Sequence, residues 1–163
     1  MLQRENALPP DRRALPSTDP EVPKVPGPDK HVRATQKPIR VLVVEDELFV
    51  ALDAEAILSQ AGCEVVGIAT DANEASAKAR QHLPDLIFMD IRLRGDRDGI
   101  DAAIEISRDL HIPIVFVTAN VDALSDARGQ GVRPLAAVSK PFTRESLLVP
   151  LTLYRHRRRA PRC

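Results

Sequence analysis

The chain has 163 residues, 23 Lys and Arg balanced by 23 Asp and Glu, and only 3% aromatic residues. That length suits one domain with a proper core, while the charge balance and scarce aromatics argue against a globally basic nucleic-acid surface or a base-stacking platform. No apolar run nears the ~18 residues of a membrane span, no secretory h-region is read at the N-terminus, and Cys63 and Cys163 form no framework, so the expected setting is a reducing cytoplasm with no membrane contact.

Residues 1–38 hold eight of the 14 prolines and no aromatic residue, and read as a disordered, Pro-rich tail. From Ile39 the texture changes. "IRVLVV" is a β-branched run that ends on Glu45, Asp46 and Glu47. Val50, Ala54, Ile57 and Ala61 then recur at helical spacing, with Gly62 as the C-terminal stop. "EVVGIA" predicts a second strand, and "DANEASAKARQHL" a helix capped by Asp71. "DLIFM" is the third strand, "GIDAAIEISRDL" the third helix, and Asp96 and Asp98 are read as caps for that helix. "PIVFVT" follows as a strand, then a weak helix near 122–128, "LAAVS" as the fifth strand, and "TRESLLVPLTLYRHRR" as the last helix. Pro150 inside it is expected to kink or interrupt it, because it removes the bond to the Ser146 carbonyl.

Strands alternating with helices, each strand a near-continuous apolar run, predict an α/β fold with a doubly wound five-stranded parallel sheet. In such sheets the carboxyl ends of the strands converge on one crevice. Standing there are Glu45 and Asp46 after the first strand, Asp90 after the third, Thr118 after the fourth, and Lys140 before Pro141 after the fifth. Two or three carboxylates with waters suit octahedral Mg²⁺, which would offset both their mutual repulsion and the charge of an incoming phosphoryl group. Lys140 and Thr118 would hold phosphoryl oxygens, and Asp90 would be the nucleophile that forms an aspartyl phosphate.

"VLVVEDE", "DLIFMDIRL", "IVFVTA" and "SKPF", in this order from Ile39 to about Tyr154, resemble the receiver domain of two-component response regulators. The resemblance implies a flavodoxin-like (β/α)5 fold with strand order 2-1-3-4-5. It implies that Asp90 accepts phosphate from a sensor histidine kinase or phosphotransfer protein. It further implies that Asp46 binds Mg²⁺ directly, Glu45 through water, and the Arg92 backbone carbonyl supplies a further ligand. Thr118 would be the switch hydroxyl, Lys140 the phosphate-sensing cation, and the Lys140–Pro141 peptide cis. Three features depart from the family pattern: Ala137 replaces the usual aromatic switch residue, the loop "GDRDG" lacks the usual proline, and Pro150 lies within the last helix.

The expected organisation is a tail over 1–38, a receiver over 39–155 and a basic tail over 156–163, with no output domain and no enzymatic turnover beyond self-phosphorylation and self-dephosphorylation. The basic run Arg155, Arg157, Arg158, Arg159 and Arg162 is read mainly as a solvated end and not as a specific nucleic-acid site. Leu147, Leu148, Leu151, Leu153 and Tyr154 give the last helix more apolar surface than one stripe requires, which favours a homodimer. Two rival readings use other chemistry. A Mg²⁺-dependent phosphatase of the haloacid dehalogenase type wants a D-x-D pair after the first strand, where this chain has "VVEDE". A flavin module wants stacking aromatics and a less acidic crevice.

Overall fold

The computed structural model describes residues 37–119 and 123–159. The Pro-rich segment, Asn120 to Asp122 and the last four residues, including Arg162 and Cys163, lie outside them. The elements follow the expected alternation: β1 (Arg40–Val44), α1 (Leu48–Gln60), β2 (Glu64–Ala69), α2 (Ala72–His82), β3 (Leu86–Met89), α3 (Gly99–Leu110), β4 (Ile114–Thr118), α4 (Ala123–Gly129), β5 (Ala136–Ser139) and α5 (Arg144–Arg159). All pairings are parallel, and the strand order is β2-β1-β3-β4-β5.

Strand period sorts the core into two layers. Leu42, Val44, Ile87, Met89, Ile114 and Phe116 face α2, α3 and the buried Ala127 of α4. Val41, Val43, Leu86, Phe88, Val115 and Val117 face α1 and α5. Each strand interior is therefore apolar on both faces, and no alternation was available to read. α2 meets the sheet through Ala72, Ala75 and Ala79. These small side chains let helix and strands approach closely.

Local signals set most boundaries. The Asp71 side chain accepts from the Glu74 N–H. Gly62, at φ +81°, follows the α1 cap residue Ala61. Asp98 caps α3 by accepting from the N–H groups of Ile100 and Asp101, and Asp101 returns a bond to the Asp98 N–H. Asp96 takes no part in that cap and is exposed beside the crevice.

Three expectations change. α5 runs through the buried Pro150 without interruption. Leu147 and Leu151, both fully buried, anchor the turns on either side of it, and tertiary packing outweighs one lost backbone bond. The apolar surplus of α5 is smaller than the sequence implies. Leu147 and Leu151 belong to the core, Leu148 and Tyr154 pack partly against it, and Val149 and Leu153 remain exposed. The basic end is part of the fold up to Arg159. Arg158 lies over the Tyr154 ring and 3.9 Å from Asp85, and Arg155 reaches the Ala61 carbonyl. Cys63 is buried beside α1, and burial pushes its thiol pKa up.

Candidate functional site

Backbone ladder bonds position the acids. The Glu45 N–H donates to the Ala69 carbonyl at 2.9 Å, and the Asp90 N–H to the Val44 carbonyl at 2.9 Å. β1 therefore holds Glu45 and Asp46 beside Asp90 at the end of β3. Glu45, Asp46 and Asp90 each offer a carboxylate oxygen, and these atoms lie within 4.8 Å of one another. Glu45 is 3% exposed and Asp90 6%, burial that carboxylates rarely show without compensation.

Lys140 supplies that compensation. Its Nζ lies 2.6 Å from Asp90 Oδ2 and 2.5 Å from Glu45 Oε2. It arrives from the end of β5, where its backbone N–H donates to the Thr118 carbonyl at 3.0 Å and the Lys140–Pro141 peptide is cis. Thr118 is buried at the end of β4. The other Asp90 oxygen, Oδ1, accepts from the Arg92 N–H at 3.1 Å, which folds the following loop back over the acid and brings the Arg92 backbone to the crevice.

The electrostatics are uneven. Burial raises the Glu45 carboxyl above its ordinary range; Lys140 pulls the other way without cancelling it, and Asp90 adds repulsion. Burial works against the Lys140 ammonium, yet hydrogen bonds and charges from Asp90 and Glu45 prevail and hold it above its ordinary value. The difference follows from the count of neighbours, since the lysine sees two anions and Glu45 shares one cation. A donor set of carboxylate oxygens is the hard-oxygen kind that fits Mg²⁺, and the third acid, Asp46, is paired with Arg94, whose Nε lies 3.0 Å away.

All six site positions expected from sequence thus stand around one crevice: Glu45, Asp46, Asp90, Arg92, Thr118 and Lys140. Two contributors escaped the sequence reading. Gly99, the first residue of α3, lies so close to the Asp90 carbonyl that an added Cβ would sit 1.9 Å from its oxygen. Arg97 ties the loop after Asp90 to α2 and α3, through Asn73 at 2.8 Å and Glu105 at 2.6 Å. Neither contact leaves a signal in the sequence. Ala137 is exposed on β5, opposite Phe116 in the ladder.

Comparison with known proteins agrees with this geometry. The family described as "Response regulator receiver domain" matches residues 41–152. The transcriptional regulatory protein PdtaR of Mycobacterium tuberculosis is 41% identical over 118 residues, covering 71% of this chain and 56% of that protein. The phyllosphere-induced regulator PhyR of Methylorubrum extorquens is 32% identical over 103 residues, covering 63% of this chain and 38% of that one. Among solved structures, the response regulator PhyR from Brucella abortus superposes with a TM-score of 0.65 at 34% identity over 73% of this chain and 48% of that one. A signal receiver domain of a modulated diguanylate cyclase from Desulfovibrio desulfuricans gives 0.67 at 27% identity over 74% of this chain and 96% of its own. The chain spans about half the length, or less, of these curated relatives.

Proposed function

Because this chain belongs to the response regulator receiver domain family, we propose that it accepts a phosphoryl group on Asp90 from a phosphohistidine of a sensor kinase or phosphotransfer protein. The observation that carries this reading is the placement of a nearly buried Asp90 within reach of two further carboxylates and 2.6 Å from a lysine ammonium. An Asp90 oxygen would form the bond to phosphorus as the donor's P–N bond breaks, with the electron pair leaving on the imidazole. Asp46, Asp90, the Arg92 carbonyl and, through water, Glu45 would hold Mg²⁺, which would supply the charge neutralisation that lets two anions approach.

The chain's own groups do the rest. Lys140 neutralises Glu45 and Asp90 beforehand and turns to a phosphoryl oxygen afterwards, without leaving its place. Thr118 closes on the same group. The output is a conformational or assembly change that partners read. Ala137 has no ring to report it by rotamer, so α4 and its loops carry the change, with Val149 and Leu153 the exposed apolar residues that α5 offers to a second copy. No helix among the described residues is long and apolar enough to cross a membrane, and we place the protein's work in the cytoplasm, where its phosphodonors are. The haloacid dehalogenase alternative is not favoured, since the first strand ends on Glu45, Asp46 and Glu47, with no D-x-D pair there.

Incubation with Mg²⁺ and a small acyl phosphate, read by intact mass, tests the proposal. One phosphoryl group should add to wild type, and none with chelator or in Asp90→Asn. Modification that persists in Asp90→Asn refutes the assignment.

A further inference from the structure

The loop Arg92 to Asp98 carries three arginines, and the structure gives two of them different work. Arg97 is an anchor: its guanidinium bonds Asn73 at the start of α2 and Glu105 on α3, and Glu105 also receives Arg80 at 2.5 Å. Arg80 reaches Asp109 as well, at 3.0 Å. The Glu105 carboxyl is held below its ordinary range by Arg80 first and Arg97 second. This network fixes the outer half of the loop against two helices.

Arg94 is different. Its side chain is 80% exposed, it borders an open cleft lined by Thr70, Asp71 and Asn73, and its Nε lies 3.0 Å from Asp46 Oδ2 in an ion pair. Asp46 itself is 14% exposed, and it belongs to the three-acid cluster. A guanidinium held on the Asp46 carboxylate and a divalent cation drawn to it compete, because each neutralises the charge that attracts the other.

We propose that Arg94 is a latch on the metal site: it occupies Asp46 while the site is metal-free, and must be displaced for Mg²⁺ to bind. This deepens the phosphoacceptor reading and rests on it. The arrangement has a physical logic. Lys140 balances Glu45 and Asp90 from the β5 side, so the remaining acid, Asp46, is the one left for a cation on the loop side. Arg94 reaches it from a loop that Arg97 keeps in place, so the pair forms at little entropic cost. Exposure of the guanidinium keeps it displaceable, and the cleft beside it gives the released side chain somewhere to go. The latch sets how much Mg²⁺ the protein needs before it becomes competent.

The test compares Mg²⁺ affinity by calorimetry in wild type, Arg94→Gln and Asp46→Asn, with no phosphodonor present. An exposed pair of this kind is worth enough for Arg94→Gln to bind Mg²⁺ about two- to five-fold more tightly than wild type, and the gap should narrow as salt screens the pair. In nitrogen-resolved NMR, the Arg94 Nε–H signal should move to the position of a free arginine as wild type is saturated with Mg²⁺. Equal or weaker affinity in Arg94→Gln, or an Nε–H signal that ignores Mg²⁺, overturns the latch while leaving the metal site intact. Absence of Mg²⁺ binding in wild type, as in Asp46→Asn, overturns the metal-site reading and the latch with it.

Discussion

Replacing Gly99 with alanine tests how closely the start of α3 is fitted to Asp90. Gly99 donates its N–H to the Ile91 carbonyl at 2.8 Å, which presses the first turn of α3 onto the chain at Asp90. A Cβ there would lie 1.9 Å from the Asp90 carbonyl oxygen and 2.9 Å from its carbon. Contacts of that kind are not tolerated below 3.0 Å, so oxygen and Cβ must separate by about 1.1 Å. Neither side yields easily, because both partners are backbone and the Asp90 N–H is held by Val44. Overpacking typically costs about 1–3 kcal/mol, and a clash with backbone belongs at the upper end. At about 4 °C per kcal/mol for a domain of this size, the melting temperature should fall by about 12 °C. The site should suffer more, since a displacement near 1 Å at reacting groups costs on the order of 100-fold in rate. Gly129→Ala is the control: nothing lies within 4 Å of its added Cβ, and it should leave both quantities nearly unchanged. The assay is thermal denaturation beside the rate of phosphorylation by a small acyl phosphate. A Gly99→Ala protein that melts within about 2 °C of wild type and reacts at the wild-type rate would refute the close approach.

Two further outcomes follow from charge and chain composition. Burial raises the Glu45 pKa in the folded state, so its contribution to stability is greatest at acid pH and declines as pH rises through that folded value. Glu45→Gln should therefore raise the metal-free melting temperature at pH 7, with the advantage vanishing below the ordinary glutamate range; a lower melting temperature at pH 7 would show that the Lys140 bond outweighs burial. Removing residues 1–37, rich in proline and free of aromatics, should leave melting temperature and phosphorylation almost unaltered; a large loss of either would mean that the segment packs on the domain.

Why the sheet was legible and some of its surroundings were not has a physical reason. "LIFM" and "IVFVT" are apolar throughout because both faces of the sheet are covered, and a run that greasy, that short and bounded by polar residues has few other uses. The candidate site was legible because a parallel sheet brings its strand ends together, so Asp90 and Lys140 could be paired across fifty positions of sequence. What escaped depends on three-dimensional distance alone. Nothing in "DRDG" says that Gly99 abuts the Asp90 carbonyl, or that Arg97 reaches across to Asn73. Asp96 and Asp98 look interchangeable as caps until the turn is built, and then only Asp98 aligns with the helix N–H groups. The leucines of α5 were overcounted as free surface because sequence shows which residues are apolar, not which side of a helix meets the sheet.

The two backbone bonds that hold the acids, Glu45 to Ala69 and Asp90 to Val44, tie readiness for chemistry to the order of folding. Each links parallel strands, the first pair separated by α1 and the second by α1, β2 and α2, so neither can form from a local hairpin. β1 must find both of its neighbours before the carboxylates converge, and such non-local pairings come late in a folding reaction. A nascent or partly unfolded chain therefore presents its aspartate as an ordinary, scattered carboxylate. On the proposed function, such a chain would not draw phosphate from a donor, and a damaged copy would fall silent instead of sending a false signal.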